Sequence, residues 1–498
     1  MTIRGSFLAI VLVFAQLPGT TTGILIRNAQ LIDGTGAPAR RADVRVAGDT
    51  VDAVGDRLQP RAGERVIDAA GQVLAPGFID MHSHADRGLD EMPDASTQVR
   101  QGITTAVVGQ DGSSDLPVAS FYARIARLHP AINYATSVGH GSVRTRVMGD
   151  DFKRAATADE IERMKALVDE GMRDGAIGLS SGLEYDPGFY SKTDELVALG
   201  SVVAKYGGIY SSHVRNENEG AFDSWREAIE IGRRNRIPVE ISHIKLGVKP
   251  VWGRAAEGLR ILDDARRSGV RVMADWYPYT YWQSSMYVLI ETRDFANRAA
   301  WEKGLGDIGG AENVLITNYR PDPSLDGKTL DRIAAARGKD AVTTAIEMMQ
   351  EAGPNTGVIA TSMSEDDLAT FVKSPTVLIC SDGSLSGRHP RGYNTFPRVL
   401  ARYVRDLHLL TLPEAVAKMT GRSAAQLGFA DRGVVAPGRK ADLVVFDAAA
   451  IQDHGTPADA SAAPTGISYV IVNGEVVLDK GEMTTARPGR GLTRNSQR

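Results

Sequence analysis

The 498-residue chain has a single cysteine, Cys380, so it can form no internal disulfide framework and no cysteine-built zinc ribbon. Its stability must come from core burial, and any metal it binds must be held by His, Asp and Glu. A charge surplus is also missing. The 57 Lys and Arg against 61 Asp and Glu leave a net −4, without the basic excess of a dedicated nucleic-acid binder. No internal repeat or low-complexity tract stands out. Beyond Gly23 no apolar run approaches the roughly 20 residues that a membrane-spanning helix needs. What remains is ordinary globular usage, 43% apolar and 24% charged, at a length that suits two or three domains or one large barrel with additions.

The first segment, Met1–Gly23, has one Arg before an apolar run at Phe7–Ala15, followed by Pro and small polar residues. That order fits a secretory signal peptide over residues 1–23, and it predicts an exported protein, periplasmic or secreted. The run is too short to span a bilayer. A lone cysteine suits an oxidising compartment, since no wrong internal disulfide can form.

Short strand-like runs separated by Gly- and Pro-bearing turns follow, from Ile24–Arg27 to Val66–Asp68, and similar texture returns at Ala441–Phe446 and Tyr469–Val477. The break at Asn473-Gly474 is a hairpin signal. We expect one β-sandwich built from residues 24–75 and 426–485, with a frayed tail at 486–498. Between these ends, eight short apolar runs start near Gly77, Ile103, Ile132, Ala176, Gly208, Pro238, Val270 and Pro375. Amphipathic stretches alternate with them, which predicts an α/β fold, a (β/α)8 TIM barrel over 76–280 and 375–425. The gap between the seventh and eighth runs exceeds a single crossover, so 281–374 reads as an inserted subdomain over the barrel mouth.

Functional residues of such barrels gather where strands end. The first run stops at Asp80-Met-His82-Ser-His84, and residues i and i+2 of a strand point the same way, so His82 and His84 can grip one ion. The fifth run ends at His213, the sixth at His243 and the eighth at Asp382. Of nine histidines, four occupy matched strand ends, which is a metal-site pattern rather than scattered core histidine. His140, at the third strand end, and His389 are expected to line the pocket. Cys380 is expected to pack.

This constellation resembles the amidohydrolase superfamily. The similarity extends to Leu31-Ile-Asp33-Gly-Thr-Gly36, Ala75-Pro-Gly-Phe78 before the first histidines, and Gly438-Arg-Lys-Ala-Asp442. Within the superfamily it is similar to the N-acyl-D-amino-acid deacylases (the D-aminoacylase family), through Ser180-Ser-Gly-Leu-Glu184-Tyr-Asp-Pro187, Ser242-His-Ile-Lys245, Asp275-Trp-Tyr277-Pro-Tyr279 and His389-Pro-Arg391. The resemblance implies one or two Zn2+ ions. His82, His84 and Asp382 match the more weakly occupied site, and His213 and His243 the tighter one. The family completes the tighter site with a cysteine in a Gly-Asn-Cys-Gly stretch. This chain has Gly109-Gln-Asp111-Gly112 there, so Asp111 takes the ligand's place, and its two oxygens can bridge two ions. Other branches bridge with a carboxylated lysine on the fourth strand, where Glu184 is a second bridge candidate.

The resemblance further implies hydrolysis of an N-acyl-D-amino acid by a metal-activated water, with Asp382 as general base and then acid. Arg391, with Arg388 nearby, is expected to hold the substrate carboxylate, since a guanidinium fork matches it. Lys245 and Tyr277 match further family contacts to it, and Ser284 or its neighbour Ser285 is expected to provide another. Two alternatives remain. One is an exported dipeptidase for L-Xaa-D-Xaa dipeptides using the same site. The other is a non-catalytic amidohydrolase-fold assembly protein, although such relatives lose their ligands and here the positions are filled. The expected partner is a small molecule, with no nucleic acid and no membrane span in the mature protein.

Overall fold

The computed structural model describes residues 23–353 and 356–494. The signal-peptide expectation for Met1–Gly23 falls, but for Gly23, outside the described residues. Among the described residues no helix is long and apolar enough to cross a membrane.

Eight parallel strands form the centre: β1 Phe78–Asp80, β2 Ile103–Val108, β3 Asn133–Thr136, β4 Gly178–Gly182, β5 Ile209–His213, β6 Val239–Ile241, β7 Val272–Trp276 and β8 Val377–Ile379. They pair in two runs, β1-β2-β3 and β4 to β8. Val138–Gly139, a short continuation of β3, pairs with β4. The circle closes where the first strand meets the last. There the Asp382 N–H donates to His82 O (2.8 Å) and the His84 N–H to Gly383 O (2.8 Å). Asp80 reinforces this seam by accepting from the Ser381 N–H (2.7 Å) and hydroxyl (2.5 Å). Complete burial pushes the Asp80 carboxyl up to about 7.

The surrounding helices follow from apolar residues at turn-length spacing. Ala158–Arg173 buries Met164, Val168 and Met172 and starts with a capping box in which Thr157 and Glu160 satisfy each other's backbone N–H groups. The long gap before β8 holds an antiparallel sheet of Tyr281–Ser285, Gly357–Thr361 and Val314–Asn318, in that spatial order. Glu365–Lys373 then returns to the barrel, where Phe371 meets Trp225. The Asp367 carboxylate accepts from the backbone N–H groups of Gly253 and Ala255, at the start of the neighbouring helix Ala255–Arg267.

Both chain ends share one nine-stranded sheet, joined where Leu443–Phe446 pairs antiparallel with Val73–Pro76. Alternate residues such as Ile24, Ile26, Val44, Val46, Leu443 and Val445 build its separate core. The hairpin turn at Asn473-Gly474 has positive φ at both residues (47° and 82°), as a type I′ turn requires. Helix Gly421–Leu427 crosses the boundary expected at 426, because Gln426 donates to Val239 O beneath β6. The tail is not frayed as far as Arg494. Tyr134 N–H donates to Arg490 O, Leu492 N–H to Tyr134 O and Arg494 N–H to Gly175 O, which fastens it along the barrel. Backbone pairing orders this stretch, which its polar, Gly-bearing composition does not reveal.

Candidate active site

The parallel register aligns the strand ends, with Gly182 opposite His213 and Ser212 opposite Ile241, so residues just past each strand face one mouth. Three of them, Asp111, His243 and Asp382, adopt left-handed backbone with φ of 53°, 35° and 50°. Such strain in non-glycine residues persists only where surrounding structure imposes it, and it concentrates at functional sites. Part of the cause is close approach. A Cβ on Gly182 would lie 2.3 Å from Asp111 O, so only glycine there lets the Asp111 loop sit against β4.

The mouth brings together His82, His84, Asp111 and Asp382 in one group, and Asp111, His213 and His243 in a second. Asp111 belongs to both. Its Oδ1 lies 3.3 Å from His82 Nε2 and 3.6 Å from His243 Nε2, and its Oδ2 lies 3.2 Å from His84 Nε2. Asp382 Oδ1 is 3.6 Å from His82 Nε2 and 3.3 Å from His84 Nε2. Atoms bound tetrahedrally to zinc at about 2.0–2.2 Å stand roughly 3.2–3.6 Å from one another, the same spacing. Both ring nitrogens of His82, Asp111 Oδ1 and Asp382 Oδ1 are buried without a hydrogen-bond partner. Buried polar atoms are rarely left so, and a cation among them would satisfy them together. The donor set fits zinc.

The electrostatics agree. Burial opposes charge on Asp111, yet the imidazoles of His82, His243 and His84 hold its carboxyl well below the usual range. Asp382 is likewise buried and held low, chiefly by Arg391. His243 is pushed up to about 10 by Asp382, Glu217 and Asp111, against burial and Lys245. The pocket favours added positive charge. Burial raises the Cys380 thiol well above its ordinary value, and the side chain packs in the barrel interior, outside both groups.

Beside this cluster lies a wall of cations. Arg391 Nη1 pairs with Asp382 Oδ2 at 2.7 Å, and the guanidinium sits 5.0 Å from the centre of the Tyr277 ring. Lys245 Nζ lies 5.7 Å from the same ring centre. The Tyr277 hydroxyl is buried and unpartnered. His389 orients this wall, since its Nδ1 accepts from the Arg391 N–H and its Nε2 donates to Tyr281 O. Ser284, on the inserted sheet, and Arg388 at the rim complete the lining of a cavity of about 960 Å³. Arg388 is exposed and paired with Asp326 at 3.3 Å.

Two expectations are corrected. His140 does not line the pocket: it opens helix His140–Met148, is fully buried, and bonds Glu195 at 2.8 Å. Glu184 does not lie between the two groups: its Oε2 is 2.9 Å from Nε2 of His213, whose Nδ1 faces Asp111, and it joins His213 and Glu217 in a third candidate metal-holding group. Sequence reasoning missed Glu217, which is 2.6 Å from Lys245 Nζ and 3.1 Å from His243 Nδ1. The only hint was a carboxylate four residues beyond His213 in Ser212-His-Val-Arg-Asn-Glu217. It also missed Asp275, which accepts the His243 N–H at 2.6 Å.

A closed parallel barrel with four histidines and two aspartates converging at its mouth, beside a wall of cations, defines a metal-dependent barrel hydrolase. The chain belongs to the amidohydrolase family, which it matches over residues 65–303 and 320–478, and within it to the N-acyl-D-amino-acid deacylases. It is 36% identical to a D-aminoacylase of Alcaligenes xylosoxydans xylosoxydans, covering 95% of this chain and 98% of that protein. An N-acyl-D-glutamate deacylase of the same organism is 35% identical over 95% of this chain and 97% of its own length. The crystal structure of N-acyl-D-glutamate deacylase from Bordetella bronchiseptica, complexed with zinc and a phosphonate mimic of the tetrahedral intermediate, superposes with a TM-score of 0.86. It covers 95% of this chain and 100% of that one at 35% identity.

Proposed function

We propose that this protein is a zinc-dependent hydrolase that cleaves the amide bond of N-acyl-D-amino acids, releasing a carboxylate and a D-amino acid. The observation that carries this reading is adjacency. Unpartnered buried atoms of Asp111 and Asp382 adjoin Arg391, Lys245 and Tyr277 in one cavity. His82, His84 and Asp382 would hold one ion, His213 and His243 another, with Asp111 reaching both. Zinc held there would supply Lewis acidity, activating the amide carbonyl and the attacking water.

The chain's own residues do the rest. Asp382 divides its oxygens, Oδ2 toward Arg391 and Oδ1 toward the histidines. That Oδ1 takes the proton of the attacking water as its oxygen bonds to the carbonyl carbon. The carboxyl then returns the proton to the nitrogen as the C–N bond breaks. Arg391, Lys245, Tyr277 and Ser284 hold the substrate carboxylate, which fixes the amide against the ion. The leader-like order of Met1–Gly23 supports export.

Turnover of N-acetyl-D-amino acids by zinc-loaded protein, against their L forms and against L-Xaa-D-Xaa dipeptides, tests the reading. Faster dipeptide cleavage would move the assignment to a dipeptidase, and no turnover of any of them would end it. Arg391 makes a sharper expectation. A charge-assisted bond is worth about 1.5–3 kcal/mol, so wild type should prefer an N-acetyl-D-amino acid over its carboxamide by roughly 10–100-fold in kcat/KM. Arg391→Met should remove most of that preference, leaving what Lys245 supplies. A preference undiminished by the substitution would remove Arg391 from carboxylate binding.

A further inference from the structure

The inner pair of histidines is held from outside by two carboxylates that the mechanism above does not use. Glu184 Oε2 lies 2.9 Å from His213 Nε2, and Glu217 Oε1 lies 3.1 Å from His243 Nδ1. The opposite nitrogens, His213 Nδ1 and His243 Nε2, face each other at 3.0 Å and both look toward Asp111 Oδ1. A neutral imidazole carries one N–H and one lone pair. If each outer nitrogen donates its proton to its carboxylate, both inner nitrogens present lone pairs to one point. Two lone pairs 3.0 Å apart repel unless a cation lies between them.

From this we infer that Glu184 and Glu217 are positioning residues. They fix the tautomers of His213 and His243 so that both inner lone pairs converge on the ion that Asp111 completes. The inference rests on the zinc-hydrolase reading. Carboxylates set behind metal-bound histidines orient the rings and raise their basicity, and losing one typically weakens metal binding 10–100-fold. The two carboxylates are not equivalent. Glu184 serves the ring alone among these cationic and imidazole groups, whereas Glu217 also holds Lys245 Nζ at 2.6 Å. Lys245 Nζ itself lies 2.6 Å from His243 Nδ1. Two donors cannot stay 2.6 Å apart, so once a proton on Nδ1 is directed to Glu217 the ammonium must move off the ring onto that same carboxylate. Glu217 thereby links the metal ligand to a member of the carboxylate-binding wall.

The test uses the full-length zinc enzyme with Glu184→Gln and Glu217→Gln, which keep side-chain shape. Zinc retention is titrated against a chelator, thermal unfolding checks the fold, and kinetics are read with and without excess zinc. Glu184→Gln should lower zinc affinity 10–100-fold at retained fold, and excess zinc should restore its kcat with KM little changed. Glu217→Gln should weaken zinc similarly and also raise KM, because Lys245 loses its anchor; excess zinc should restore kcat alone. Glu184→Asp should recover part of the affinity. A Glu184→Gln protein that is folded and binds zinc as wild type does overturns the inference, as does a loss of activity that excess zinc cannot reverse. If wild type itself binds no zinc, the functional reading fails instead, so the two failures are distinct.

Discussion

Asp111→Ala should leave a folded protein that retains little zinc and turns over N-acyl-D-amino acids roughly 1,000-fold more slowly in kcat/KM. The loss follows from position. Asp111 is the one side chain common to both groups, with Oδ1 and Oδ2 facing different histidines. Removing it would take a ligand from both groups at once and leave His213 and His243 without the carboxylate they both face. Lewis-acid assistance is worth several kcal/mol of barrier, and each 1.36 kcal/mol is tenfold in rate. Elemental analysis and steady-state kinetics on the same preparations give both numbers. Unchanged metal content together with unchanged activity would show that Asp111 is only a loop residue in an Asp-Gly turn.

Asp382→Asn should separate proton transfer from metal binding. The amide keeps an oxygen near His82 and His84 but cannot accept the water's proton, and general acid–base assistance is worth about 100- to 10,000-fold. We expect kcat to fall within that range while zinc content falls less than in Asp111→Ala. Arg391, whose guanidinium pairs with Asp382 at 2.7 Å, loses its partner in this variant and becomes free for the substrate carboxylate. KM should therefore fall or hold rather than rise. An Asp382→Asn enzyme within tenfold of wild-type kcat would require another base.

Much of the site was legible because strand geometry is periodic. His82 and His84 share a face by the two-residue repeat, and His213, His243 and Asp382 end runs whose apolar texture marks buried strands. Asp111 was legible through the resemblance, as the occupant of a position filled by another ligand. The same logic misplaced His140. The third run was expected to end at His140, but β3 breaks near Ser137 and a helix opens at His140, which turns the ring onto Glu195. Glu217 was invisible for a different reason. It lies in a loop, and its partners His243 and Lys245 come from the loop after another strand, so no local pattern distinguishes it from a solvated glutamate. The left-handed backbone of Asp111, His243 and Asp382 was equally hidden, because local propensity does not favour it and tertiary packing imposes it. Domain texture was clear at both chain ends, whereas the lacing of Arg490 and Leu492 to Tyr134 depends on contacts across hundreds of residues.

The seam between the first and last barrel strands gives the ion a second task. Asp80 and Ser381 meet across a sequence separation of 301 residues, and His82, His84 and Asp382 flank the same junction. A cation bound there ties the beginning of the barrel to its end, as a clasp joins the ends of a bracelet. Because it binds the folded chain and not the unfolded one, it stabilises closure by mass action, about 4 kcal/mol at a thousandfold excess over its dissociation constant. A chain whose solitary cysteine forbids an internal covalent cross-link would thus gain a reversible one, and metal supply would set how firmly the ring stays shut as well as how fast it turns over.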